Sequence, residues 1–327
     1  MNSDFNPGNF FILGFAGIRP DDGFLRLIES YPPSGLLLMD RNYDDPEQLK
    51  SLVSYLKSIV GHDILFAVDQ EPGRVQRFRN GFPKSKLPSE YLKDSSLDEY
   101  KVWCGGTASI LAEVGINLNL APVIDFMPID RDFPVLNGRS FGGDSERVVV
   151  FARILIEEHK KKGVLTCAKH FPGLGAAEFD PHKMMSISEE PLRRFDDHHW
   201  RPFRAAVSFG VDMVMTTHLL APSLDNGNCV TYSRPIIDYL RNDIGHTGPV
   251  ISDDLYMKGA GEQDLLDQSS IKSIHAGHNL VIISRETNLQ LKAMKRVSSL
   301  FEKDESFRQV ATDNERIIEK LKSKIRS

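Results

Sequence analysis

The feature that most constrains this chain is a strand-like run that recurs eight times, mostly with helix-like sequence between. The runs occupy residues 11–16, 35–39, 64–68, 116–124, 164–168, 212–216, 249–252 and 280–283. Most are nearly continuous in apolar residues, the pattern of strands buried on both faces. Asp45-Pro46-Glu47-Gln48 places an N-cap Asp before a proline at the first helical position, with helical periodicity over 49–59. Asp144-Ser145-Glu146-Arg147 opens another helix, which stops at Lys160-Lys161-Lys162-Gly163. Residues 190–210, 233–243 and 264–277 supply more. Such alternation calls for a parallel sheet, and eight repeats favour an α/β fold closed into a (β/α)8 TIM-type barrel over an open doubly wound sheet. No linker divides residues 1–327, so one domain is expected, with a charged helical segment from about residue 285 packed outside.

Composition narrows the function classes. At 41% hydrophobic and 26% charged, the 327 residues have ordinary globular composition and ample length for a large core. A net charge of −5 offers no basic face for nucleic acid. Cys104, Cys167 and Cys229 lie far apart, without metal or disulfide spacing, and read as free thiols. His198-His199 looks metal-like, but adjacent helical residues face different directions. No Gly-x-Gly-x-x-Gly follows the first strand and no phosphate-binding Gly-rich lysine loop occurs, so neither metal nor organic cofactor is expected. The apolar stretch 9–17 lacks a basic leader and is too short to span a membrane, which points to a first core strand in a cytoplasmic protein without a membrane partner. No motif sets the oligomeric state.

Active residues of a barrel lie at the C-terminal ends of its strands. Run three ends at Asp69-Gln70-Glu71, run four at Asp125, run five at Lys169-His170, run six at Thr217-His218 and run seven at Asp253-Asp254. A lone acid there is usually a helix cap, and Asp254 suits that role. Agreement across several strands favours a site. After Lys169-His170, Pro172, Gly173 and Gly175 open a loop that carries Asp180-Pro181-His182. The loop could close over a ligand held at the strand end, or be a polar surface loop; the stretch alone does not choose. Asp69 and Glu71 could equally form an ion network with Arg74 and Arg77.

Several motifs in order resemble glycoside hydrolase family 3, specifically its β-N-acetylhexosaminidases of the NagZ type. They are Ala67-Val-Asp-Gln-Glu-Pro-Gly-Arg-Val-Gln-Arg-Phe78, Gly115-Ile-Asn-Leu-Asn-Leu-Ala-Pro-Val-Ile-Asp125, Gly138-Arg-Ser-Phe141, Lys169-His-Phe-Pro-Gly173, Asp180-Pro-His182 and Ile251-Ser-Asp-Asp-Leu-Tyr-Met-Lys-Gly-Ala260. The resemblance implies Asp253 as catalytic nucleophile, His182 as acid/base and Asp180 as its partner. It places Asp69, Arg77, Arg139, Lys169 and His170 around the sugar of the −1 subsite. It implies a small N-acetylglucosamine-containing carbohydrate as the binding partner, released from cell-wall fragments by a retaining exo-glucosaminidase. A histidine whose ordinary pKa is near 6.5 suits both proton donation and acceptance at neutral pH.

The sequence departs from the family at three sites. The family's PGHGDT is Pro172-Gly-Leu-Gly-Ala-Ala177 here, so Leu174, Ala176 and Ala177 replace polar groups that could fix the loop. With Gly173 and Gly175 beside them, this predicts a mobile 171–182 segment. Pro72 replaces the first glycine of DQEGG, and 130–137 also differs. Alternatives of the same fold are therefore a β-glucosidase or β-xylosidase, a phosphorylase, or a non-catalytic sugar-binding relative.

Overall fold

The computed structural model describes residues 5–60, 63–93, 97–128, 133–181 and 183–325. Eight parallel strands close into a barrel in sequence order: β1 (Phe11–Gly14), β2 (Gly35–Leu37), β3 (Leu65–Val68), β4 (Leu118–Asn119), β5 (Leu165–Phe171), β6 (Met213–Thr216), β7 (Val250–Asp254) and β8 (Leu280–Ile283), with β8 pairing back to β1. Every strand overlaps one of the eight expected runs, with β5 running on to Phe171 and β7 to Asp254 beyond the expected ends. Helices follow each strand around the outside, as the alternating pattern requires. Helix Pro46–Val60 starts at the expected proline, and Asp45 Oδ1 accepts from Gln48 N at 2.8 Å. Asp144 caps helix Ser145–Lys160 through the N–H groups of Glu146 and Arg147.

The barrel interior is filled by alternate residues of every strand. Ile12, Leu37, Leu65, Leu118, Leu165, Met213, Ile251 and Leu280 form one buried cluster, with Ala67, Leu120, Cys167, Met215 and Ile282 above them. Residues of opposite parity, such as Phe66 and Val68, pack against the helices. The period of two sets what comes next: Asp69 follows Ala67, Lys169 follows Cys167, Asp253 follows Ile251 and Ser284 follows Ile282. The inward row therefore changes from apolar to polar at the C-terminal mouth.

Helices Thr287–Lys303 and Glu305–Lys322 make up the charged C-terminal segment. The second does more than pack on the outside. Its Ile318 and Leu321 join the interior cluster, Asn314 Nδ2 donates to Asn9 O just before β1, and Lys324 pairs with Asp212 just before β6 at 2.6 Å. It thus covers the N-terminal end of the barrel, opposite the polar mouth. No helix of the described residues is long and apolar enough to cross a membrane.

Candidate active site

A cavity of about 640 Å³ opens at the C-terminal mouth, lined by Asp69, Arg77, Arg139, Lys169, His170 and Asp253 among others. Six of the eight residues singled out from the sequence thus converge there, from the ends of β3, β5 and β7 and the loop after β4. Asp180 lies on the loop after β5, where its carbonyl accepts from Lys183 N at 3.0 Å, and its neighbour Pro181 lines the cavity. His182 and residues 130–132 lie outside the described residues.

The cavity floor is a matched charge network. Lys169 Nζ lies 2.6 Å from Asp69 Oδ1 and 2.8 Å from Glu71 Oε1. Arg139 forks onto Glu71, with Nε and Nη2 each donating at 2.8 Å to one carboxylate oxygen. Arg77 Nη2 reaches Asp69 Oδ2 at 3.5 Å. Burial by itself would raise both carboxyl pKa values. Lys169 and Arg77 outweigh it at Asp69, holding that group well below the ordinary carboxylate range. Arg139 and Lys169 bring Glu71 down to about 2. Burial works against the charge on Lys169 too, but Asp69 and Glu71 win and its pKa is raised. The floor therefore stays fully ionised at neutral pH, presenting fixed donors and acceptors to a hydroxyl-rich ligand.

His170 is positioned from behind. Asp125 Oδ2 lies 2.7 Å from His170 Nδ1, and Asp125 Oδ1 accepts from the N–H of Leu174 at 2.7 Å. With Nδ1–H donating to Asp125, Nε2 is the acceptor and faces Arg139 Nη2 at 3.5 Å. Strand parity would send Lys169 and His170 to opposite sides. The β5–β6 register shifts between Ala168 and Phe171, and both residues line the cavity.

Asp253 and Asp254 have different neighbours. Asp254 Oδ1 accepts from the N–H groups of Tyr256 and Ser284, both at 3.1 Å, so it ties the end of β7 to the end of β8. Burial raises its pKa. Asp253 continues the inward row, is half-buried and faces the cavity; its Oδ1 also accepts from Asp254 N at 2.8 Å. His218, at the end of β6, is buried and bridges Thr231 Oγ1 and Asp254 O. It holds the mouth together and does not line the cavity.

The first turn of the loop after β5 is held by packing. Leu174, Ala176 and Ala177 are almost fully buried in the apolar cluster, so apolar packing supplies the anchor that polar side chains were expected to provide. Gly175 sits so close to Phe126 that an added Cβ would lie 1.7 Å from its carbonyl oxygen. Further on, Glu178 N donates to Ile187 O, and Pro181 O accepts from Gly259 N, both at 2.8 Å. Strand Ser186–Ile187 also pairs with Leu219–Leu220 of the next loop. Among the described residues, no group of three His, Cys, Asp or Glu could hold a metal ion.

Sequence reasoning left Arg41, Tyr256, Lys258 and Arg285 out of the lining, and gave Glu71 no partner beyond Arg74 and Arg77. Arg74 instead donates to Pro134 O and Val135 O. A signal existed for two of these: Asp40-Arg41 and Ser284-Arg285 follow runs two and eight as polar strand ends, the same mark used for the others.

A parallel barrel with a carboxylate set inward above an ionised, hydrogen-bonding floor is an enzyme scaffold for a small polar substrate. The model of the glycosyl hydrolase family 3 N terminal domain matches residues 13–319, and the chain belongs to that family of glycoside hydrolases. The beta-hexosaminidase of Actinobacillus pleuropneumoniae serotype 3 (strain JL03) is 32% identical over 273 residues, covering 80% of this chain and 77% of that protein. The family 3 β-N-acetylglucosaminidase from Paenibacillus sp. str. FPU-7 aligns at a TM-score of 0.86 and 26% identity, over 97% of this chain but only 62% of that one. NagZ from Neisseria gonorrhoeae, solved in complex with N-trifluoroacetyl-D-glucosamine, aligns at 0.76 and 25% identity, over 97% and 98% of the two chains.

Proposed function

We propose that the protein is a retaining exo-β-N-acetylglucosaminidase that removes a non-reducing N-acetylglucosamine from cell-wall fragments, through a covalent glycosyl-enzyme. The observation that carries this reading is the inward placement of Asp253 at the end of β7, facing a cavity floored by Asp69, Lys169 and Arg139. Relatives named beta-hexosaminidase and β-N-acetylglucosaminidase support the sugar.

In this reading the floor holds the sugar. Asp69 accepts from ring hydroxyls, while Lys169, Arg77 and Arg139 donate; His170 is kept in one tautomer by Asp125. Asp253 attacks the anomeric carbon as the bond to the leaving oxygen breaks. His182, as an imidazolium stabilised by Asp180, protonates that oxygen and becomes neutral, and the neutral ring then takes a proton from the water that releases the sugar. Pairing on the floor keeps its charges from shifting during the reaction, so positioning costs little reorganisation.

A panel of p-nitrophenyl β-glycosides, each with and without inorganic phosphate, tests the reading. Release from the N-acetylglucosaminide alone, unaffected by phosphate and with the anomer retained, is expected. Preference for the glucoside or xyloside, a glycosyl phosphate product, or an inverted anomer would replace it.

A further inference from the structure

Retaining hydrolysis sets a geometric demand on this fold. The nucleophile and the proton donor must keep a fixed separation across one glycosidic bond, which paired carboxyls meet at about 5–5.5 Å. Asp253 stands at the end of β7, while Asp180 lies on the loop after β5, with β6 between the two strands. Strand pairing alone therefore does not set the separation. A contact over the end of β6 has to carry it.

The backbone provides one. Gly259 N, six residues after Asp253, donates to Pro181 O at 2.8 Å. That carbonyl belongs to the peptide joining Pro181 to His182, directly after Asp180. Asp180 O accepts in turn from Lys183 N at 3.0 Å and Met184 N at 3.3 Å, which closes a turn around the link. On the β7 side, the course of the chain toward Gly259 is held at several points. Asp254 O accepts from Met257 N at 3.0 Å and lies 3.0 Å from His218 Nε2. Tyr256 O accepts from Gln263 Nε2 at 3.1 Å, and Ala260 O accepts from the Tyr232 hydroxyl at 2.5 Å.

Position 259 suits glycine for a reason of space. Its φ lies outside the left-handed region, so an alanine could adopt the same backbone. An added Cβ would stand 2.5 Å from Pro181 O and 3.1 Å from both Pro181 Cβ and His218 Cβ. His218 is fully buried, with its two ring nitrogens against Thr231 Oγ1 and Asp254 O, so it has no room to give way. The loop, exposed at Lys183 and Met184, moves instead. Met257, Lys258 and Pro181 line the cavity, and Gly259 stands behind them. A methyl group there would displace the loop without touching a sugar on the floor.

We propose that Gly259 is a positioning residue for proton transfer: its N–H and its lack of a side chain dock the Asp180–His182 loop onto the turn that begins at the nucleophile. The inference rests on the glycosidase reading above, and adds the residue that fixes the spacing of its two catalytic groups. Gly259 itself makes no contact with substrate.

The test is a series of aryl N-acetyl-β-glucosaminides running from 2,4-dinitrophenyl to unsubstituted phenyl. The first leaving group departs without a proton and the last needs one. Gly259→Ala should lower kcat/KM about a hundredfold on the phenyl glycoside and less than about threefold on the dinitrophenyl one, so that the dependence on leaving-group pKa steepens. On the dinitrophenyl glycoside the covalent intermediate forms but lacks its base. Azide attacks the anomeric carbon as the Asp253 carboxylate departs and has no proton to lose, so it should raise kcat and yield a glycosyl azide. Tyr232→Phe loosens the same turn without adding bulk, and should cost about threefold on the phenyl glycoside alone. A loss equal across the series, a wild-type slope in Gly259→Ala, or no rescue by azide would overturn the role of Gly259 while leaving the glycosidase intact. If Gly259→Ala does not fold, Tyr232→Phe carries the test, and an unchanged slope there overturns the role. A wild type inactive on every member of the series would instead reject the functional reading.

Discussion

Asp253 and Asp254 are adjacent and both border the cavity, yet their carboxylates meet different partners. Asp253→Ala should lower turnover by about a thousandfold or more with the melting curve unchanged. A 2-fluoro glycosyl inhibitor should label Asp253 in the unmodified enzyme; a label elsewhere, or none, would reject its role. Asp254→Ala removes the acceptor of two buried N–H groups and should cost about 1–3 kcal/mol in urea unfolding. Glu71 presents the harder case, because Arg139 and Lys169 both depend on it. Glu71→Ala leaves buried cations unanswered and should cost about 3–5 kcal/mol by the same assay. His182 is tested by leaving groups. A nitrophenolate needs little protonation, so His182→Ala should slow the aryl glycoside less than a disaccharide, with Asp180→Asn acting in the same direction. Equal losses on both substrates would remove His182 from the role of general acid.

At the scale of elements, the loop after β5 is shaped by packing more than by its glycines. Leu174 N–H is held by Asp125, and Ala176 and Ala177 are buried behind it. Hydrogen exchange should show Leu174, Ala176 and Ala177 protected to a degree comparable with β5, with no sugar present; exchange as fast as in exposed turns would show that the anchor does not hold. Gly175→Ala should release this protection, since a Cβ there cannot coexist with the Phe126 carbonyl unless the backbone moves. Helix Leu97–Glu113 is another case. Its Gly105-Gly106 pair weakens any helical pattern in the sequence. In the fold, Cβ positions there would sit 3.3 Å from Glu158 and Pro83, so small residues suit a close approach of neighbouring elements.

The whole molecule carries an acid sensitivity in its buried histidines. His159 and His246 have pKa values lowered to about 4, and His278 to about 3, each mainly because burial disfavours the charged ring. A depressed folded pKa means that stability is fully present above the unfolded value of about 6.5 and is lost as pH falls toward the folded value. The unfolded chain takes up protons that the folded one refuses, so three such rings give a slope approaching about 4 kcal/mol per pH unit in the middle of the window. Asp69 and Glu71 add a loss of the same sign below about pH 4.5, where their unfolded carboxyls protonate first. Urea unfolding at pH 7, 6 and 5 should show a steep decline, with His278→Gln flattening it. A constant stability over that range would refute the account.

All eight barrel strands were legible because strands buried on both faces must be apolar, and a break in that apolar run marks the approach to the mouth, which β5 and β7 cross before they end. Asp69, Lys169, His170 and Asp253 were legible for the same reason: each stands where a buried run turns polar. Pairing was not, because charge complementarity acts across space, and nothing local to Glu71 distinguishes Arg74, three residues away, from Arg139 and Lys169. Leu174, Ala176 and Ala177 showed the loss of polar anchors but could not show what they pack against. Likewise, the C-terminal helix reads only as charged and amphipathic. That Ile318 and Leu321 cover the barrel floor, and that Arg41 and Arg285 line one cavity, follow from closure of the barrel, which brings the first and last strands together. The local period of apolar residues thus determined which segments are strands and which strand ends are polar, while the partner of each polar group was decided only when the barrel closed.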